Sequence, residues 1–151
     1  RWINNINSIN TIYVVYPTGL SKTEVKYPSR KTTSNERIVV DNTQASFIIL
    51  SSEYDSTGIY TVNAYVENKT ADKKLMFSWD DVSVNGYMIE PYFVSLVAGG
   101  KRDYVTISFS KSNLEKNGII AIEKIEYTLK ISDANNWFSD ALVREDFIYK
   151  P

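Results

Sequence analysis

Beyond residue 36, apolar and polar residues alternate with a period of two in one segment after another. Tyr60, Val62, Ala64 and Val66 alternate with Thr61, Asn63, Tyr65 and Glu67. Val105, Ile107 and Phe109 alternate with Tyr104, Thr106 and Ser108, and Ile125, Tyr127, Leu129 and Ile131 alternate with Glu126, Thr128 and Lys130. Successive side chains of a strand point to opposite faces, so each segment predicts a strand with one buried and one wet face. Leu75, Phe77 and Trp79 share one face of a further strand, which directs Trp79 into the core. Phe47–Leu50 (FIIL) is continuously apolar and predicts a central strand covered on both sides. The inward-facing set, from Val62 and Val66 through Phe77, Trp79, Val105, Ile107, Phe109, Ile125 and Leu129 to Ile131, should form one core.

Turn residues separate these runs. DSTG (Asp55–Gly58), ENKTAD (Glu67–Asp72) and AGGK (Ala98–Lys101) mark three connections. Asn85-Gly86 lies between two apolar runs, and both residues tolerate positive φ, so a tight hairpin is expected there. One short helix is predicted. Ser112-Asn113-Leu114-Glu115 matches a capping box, and Gly118 follows where a left-handed residue would end the helix. Short strands spaced by turns in this way predict an all-β fold, a two-sheet antiparallel immunoglobulin-like sandwich of seven to nine strands with one short helix.

The first 35 residues read differently. NNINSIN (Asn4–Asn10) is polar, TIYVVY (Thr11–Tyr16) is a short strand-like run, and SRKTTSN (Ser29–Asn35) has linker composition. Residues 1–35 carry five bases against one acid, net +4, while the remainder carries twelve bases against seventeen acids, net −5. This divides the chain into a basic arm or edge element over 1–35 and a sandwich domain over 36–151, and the arm should be dispensable for folding the rest.

Composition narrows the chemistry. The sequence holds 151 residues, 11 Tyr, 6 Phe and 3 Trp, which suits strands, and it has neither Cys nor His. Disulfides, the usual zinc sites, cysteine nucleophiles and histidine bases are thereby excluded. A net charge of −1 gives no field for nucleic acid. No apolar run reaches the ~20 residues of a membrane span, so membrane attachment is expected only through a segment absent from this chain. The chain opens on Arg1, which is expected of a processed product whose signal peptide or anchor has been removed.

The blocks Val62–Phe93, Val97–Ile119 and Ile122–Asp133 carry an ENKT turn, a VNGY hairpin, a GGK turn and the segment SNLEKNGI. In these features the chain resembles immunoglobulin-like domains of unknown function from exported or membrane-anchored proteins of Gram-positive gut bacteria. The resemblance covers residues 36–151. It implies an extracytoplasmic module, secreted or anchored as a lipoprotein is, and brings no chemistry with it.

Several constellations of residues could carry chemistry. The acid pairs Asp80-Asp81, Glu145-Asp146 and Asp133/Asp140 could serve glycoside hydrolysis, but neighbours on a strand diverge, so solvated turn charges are the simpler reading. Asp133, Asn135 and Asp140 could wrap a Ca²⁺, although Trp137 and Phe138 stand where a calcium loop wants an oxygen ligand and a glycine. No metal or cofactor is expected. Trp137, Tyr87 and Tyr92, with Trp79 and Phe93 as further aromatics, could form a platform for sugar rings. Asn68-Lys69-Thr70 matches a glycosylation acceptor within a turn. The expected function is a non-enzymatic extracytoplasmic structural or binding module for a protein or glycan partner. The alternative is a carbohydrate-binding module using the exposed aromatics.

Overall fold

The computed structural model describes residues 28–136 and 138–151. The Thr11–Tyr16 run and Trp137 lie outside the described residues. Thr33–Pro151 form one compact unit. Its strands are β1 (Arg37–Asp41), β2 (Ala45–Tyr54), β3 (Tyr60–Asn68), β4 (Leu75–Val84), β5 (Tyr87–Met88), β6 (Val94–Val97), β7 (Arg102–Phe109), β8 (Ile125–Asp133) and β9 (Val143–Tyr149), with the helix α1 (Lys111–Lys116) between β7 and β8.

Among the described residues all strand pairings are antiparallel and fall into two sheets. One has the order β1-β2-β3-β7, and the other β5-β4-β8-β9 with β6 also on β4. β5 pairs with Ser83 and Val84 while β6 pairs with Leu75–Ser78, so the two short strands lie end to end along one edge of β4. The chain changes sheet at β3→β4, β6→β7 and β7→β8, the Greek-key habit of an immunoglobulin-like sandwich. FIIL lies in β2, flanked by β1 and β3, and its Phe47, Ile48 and Ile49 are buried on opposite faces as expected of an interior strand.

Between the sheets lies one core. It contains every residue expected there, with Val105 half-buried at its margin. Its centre is aromatic: Trp79 stacks on Tyr127 at 3.8 Å and 14°, and Phe47 packs against Trp79 at 6.2 Å.

The Asn85-Gly86 hairpin forms as expected, with φ of 50° and 87° and Val84 paired to Tyr87. Asn85 also clamps the segment before β8. Its Oδ1 accepts from the Glu123 and Lys124 amides (2.9 and 3.1 Å), and its Nδ2 donates to the Ala121 carbonyl (2.8 Å). The helix begins two residues earlier than the capping-box motif implied. Ser110, where the extended backbone of β7 ends, is the N-cap and accepts from the Asn113 amide at 3.3 Å. Ser112 lies inside the helix, and Glu115 faces Lys111 one turn back at 3.7 Å. The C-terminus is as read. Gly118 has φ of 69°, its amide donates to Glu115 O, and the Ile119 amide donates to Leu114 O, a Schellman turn sealed by the buried pair Leu114 and Ile119.

Candidate functional site

A sandwich has two flanks where the sheet edges face one another, and here they are built differently. On the β1/β9 flank, side chains join the sheets. Arg37 donates from Nη1 to the Ile148 carbonyl (3.3 Å) with its guanidinium 5.9 Å from the Tyr149 ring centre, and the Tyr149 hydroxyl meets Ser52 Oγ at 2.8 Å.

On the β6/β7 flank the backbone itself crosses. Tyr92 exchanges both backbone hydrogen bonds with Ser108 of β7 (2.8 and 3.3 Å). Phe93 then turns inward against Phe47 and Trp79, both at 6.1 Å, and Val94 pairs with Ser78 of β4. After β6 the chain returns through Ala98–Lys101, where Gly100 has φ of 69° and Lys101 donates to the Ala98 carbonyl (3.0 Å). A Cβ on Gly99 would lie 2.6 Å from the Ala71 carbonyl oxygen, so only glycine lets this turn rest on the 69–74 loop.

Asn68 fastens the same end. It is fully buried, its Nδ2 donates to the carbonyls of Lys73 (2.7 Å) and Val97 (2.8 Å), and its Oδ1 accepts from the Thr70 amide and hydroxyl. Its amide nitrogen is thus committed, and the Asn68-Lys69-Thr70 acceptor pattern marks a structural turn rather than a glycan attachment site.

Between the two crossings lies a groove of about 580 Å³ lined by Tyr92, Phe93, Val94, Ser95, Asp103, Val105 and Thr106. Phe93 and Val105 make an apolar floor continuous with the core. Tyr92 stands at the rim, 77% exposed. Because Ser108 turns its backbone groups outward to Tyr92, the period of two turns those of Thr106 and Tyr104 outward as well. The Tyr104 amide is taken up by its neighbour Asp103 at 2.8 Å. The groove therefore offers an aromatic rim, a carboxylate and outward backbone groups over an apolar base, with the Ser95 hydroxyl buried in its wall and that of Thr106 donated to Asn63 Oδ1 at 3.0 Å.

The residues singled out from the sequence are distributed as follows. Tyr92 lies on the groove. Tyr87 is exposed on β5, paired with Val84, and neither it nor Tyr92 stacks on another ring among the described residues. Trp137 lies outside the described residues; its neighbours Asn136 and Phe138 belong to the β8–β9 connection, beyond the end of β8 that pairs with Leu75 and so opposite the Val84 end. Trp79 is core, with Nε1 lacking a hydrogen-bond partner. Asp133 accepts the Asn135 amide at 2.9 Å, which makes it a turn-former, and no acidic cluster fit for a metal ion occurs among the described residues.

One expectation about the carboxylates is overturned. Asp80 and Asp81 do not diverge, because a bulge at Asp81 (φ 51°) shifts the register between Asp80 and Ser83. Trp79 and Val82 are both buried, so the two acids share the outer face. There Asp81, Glu126 and Asp146 border a shallow recess of about 440 Å³. Two of its acids are engaged: Asp146 accepts from the Thr128 hydroxyl (2.6 Å) and Glu126 meets Lys124 at 3.2 Å, while Asp80 beside the recess meets Arg144 at 3.6 Å. Elsewhere the Asp41 carboxyl is held below its ordinary pKa by hydrogen bonds from Lys69 and Ser46, and that of Asp55 by the Thr57 hydroxyl and nearby amides.

Ser95, Asp103, Val105 and Thr106 carried no signal as site residues. Their juxtaposition arises from the chain crossing between sheets, which period-two patterning does not encode.

No family model and no curated protein matches the chain. Among solved structures it is similar to the chicken MD-1 chain in a crystal structure of MD-1 complexed with lipid IVa. The identity is 11%, covering 76% of this chain and 96% of that one, with a TM-score of 0.34.

Proposed function

We propose that the chain is a non-enzymatic, extracytoplasmic binding module that takes its ligand in the β6/β7 groove. The observation that carries this reading is the groove's construction. Two backbone crossings hold the sheets together there, so the space between them is left for a ligand rather than filled by bridging side chains. Its volume falls within the range of about 300–1,000 Å³ common to ligand sites. An extracytoplasmic setting is supported by the ENKT, VNGY, GGK and SNLEKNGI resemblance to exported immunoglobulin-like domains. The non-enzymatic reading is supported by the absence of histidine and cysteine and by the engagement of Asp146 with Thr128 and of Glu126 with Lys124.

Among ligand classes, a carbohydrate is favoured by Tyr92. An exposed phenol ring beside the Asp103 carboxylate offers a face for sugar C–H groups and an acceptor for sugar hydroxyls. A glycan array probed with the full chain and with Tyr92→Ala tests this. Retention of a glycan set by the parent and an affinity loss of about tenfold or more in the variant is the expected result. Failure of every glycan to bind, or binding indifferent to Tyr92, would contradict it.

A further inference from the structure

The chain contains two Asn-Gly pairs, Asn85-Gly86 and Asn117-Gly118, and the structure treats them differently. Asparagine before glycine is prone to deamidation because a glycine offers its backbone nitrogen with no side chain in the way. We propose that Asn117 is the chain's ageing site and that the fold shields Asn85.

The chemistry is the same at either pair. The backbone nitrogen of the glycine attacks the asparagine Cγ and a new C–N bond closes a five-membered imide. The bond from Cγ to Nδ2 breaks, and Nδ2 leaves as ammonia with the proton given up by the backbone nitrogen. One water then opens the imide at either carbonyl, giving aspartate or isoaspartate.

The attack requires Cγ to swing onto the next nitrogen. At Asn85 the amide is pinned at both atoms. Swinging it breaks the bonds from the Glu123 and Lys124 amides and the bond to the Ala121 carbonyl, in a turn closing the core strand β4. At Asn117 the side chain is tied only through Nδ2, to the Asn113 carbonyl at 2.8 Å, within the helix whose end it caps. The Gly118 nitrogen is engaged with Glu115 O at 2.9 Å, so the reactive form is a frayed last turn. A six-residue helix frays far more readily than a core hairpin opens.

Conversion at Asn117 has a structural consequence. Aspartate there sets a negative charge at the helix C-terminus, where the macrodipole disfavours it. Isoaspartate adds a methylene to the backbone inside the Schellman turn. Either product loosens the connection that Asn85 clamps ahead of β8.

The test is to age the intact chain at mildly alkaline pH, digest it, and follow the gain of one dalton in the peptides holding Asn85 and Asn117. Conversion at Asn117 should lead that at Asn85 by about fivefold or more in the native chain and draw level with it in unfolding urea. Equal or faster conversion at Asn85 in the native chain, or a ratio that urea leaves unchanged, would overturn the proposal.

Discussion

The two flanks of the sandwich solve one problem in two ways. On the β1/β9 flank, Arg37, Ser52 and Tyr149 reach across between strands and fill the gap they close. On the β6/β7 flank, the chain passes from sheet to sheet at Tyr92–Phe93 and again at Ala98–Lys101. Covalent crossings need no side chains to hold the edges together. Phe93 and Val105 between the crossings still pack on the core, but no side chain has to bridge the edges, and what results is a groove with the exposed Tyr92 and the Asp103 carboxylate at its margin. A flank latched by side chains is part of the fold's stability, whereas a flank spanned by backbone can be spent on recognition.

The largest expected effect sharpens the contrast at its base. Phe109 is fully buried next to Ser108, the residue that anchors the Tyr92 crossing. Phe109→Ala should cost on the order of 3–5 kcal/mol by urea denaturation, and a loss below about 1 kcal/mol would show that the crossing does not rest on the core. Next comes Asn68→Ala, which orphans the Val97 and Lys73 carbonyls and the Thr70 amide and should cost about 3 kcal/mol. Asn68→Asp should not rescue this, because it sets a buried carboxylate oxygen against the same two carbonyls. Arg37→Ala on the other flank removes one exposed hydrogen bond and a ring contact, and should cost about 1 kcal/mol or less. If Arg37→Ala proved more damaging than Asn68→Ala, the latched flank would be the more critical of the two and the comparison would need to be inverted.

A pH effect is expected too. Burial pushes the Tyr127 phenol well above its ordinary value of 10.0, and burial likewise raises that of Tyr60. The native state then holds these protons more tightly than the unfolded chain does. Stability should be intact below about pH 9 and decline as pH climbs past about 10, where the unfolded chain ionises and the native core does not. Denaturation curves across that interval check the sign, and stability that rose there would contradict the buried placement of Tyr127.

Much of the fold was legible in the sequence, and for definite reasons. β3, β7 and β8 each bury one face against the opposite sheet, so their period of two is clean. Asn85-Gly86 was legible because positive φ restricts residue choice so strongly. β9 escaped because it is an edge strand: Arg144, Glu145 and Asp146 are all exposed and break the alternation. β6 has only four residues, too few for a period to show. The helix cap was displaced because Ser-x-x-Glu fits at Ser112, while the backbone leaves its extended conformation at Ser110. Of the groove, Tyr92 and Phe93 were named from the sequence as aromatics of a sugar-binding platform, together with Tyr87 and Trp137. Val105 was read only as core, and Val94, Ser95, Asp103 and Thr106 are ordinary strand positions whose place in a groove comes only from the strand across the flank.

The smallest stability effect carries the central claim. Tyr92→Ala should change stability by less than about 0.5 kcal/mol, because the ring is exposed and its backbone bridge to Ser108 persists. The most direct measurement is an amide-resolved NMR titration of the full chain with the glycan that the array selects. Shifts concentrated at 92–95 and 103–106, and abolished in Tyr92→Ala while the fold is retained, are the predicted result. Shifts centred instead on Arg37, Ile148 and Tyr149 would place recognition on the latched flank and contradict the account.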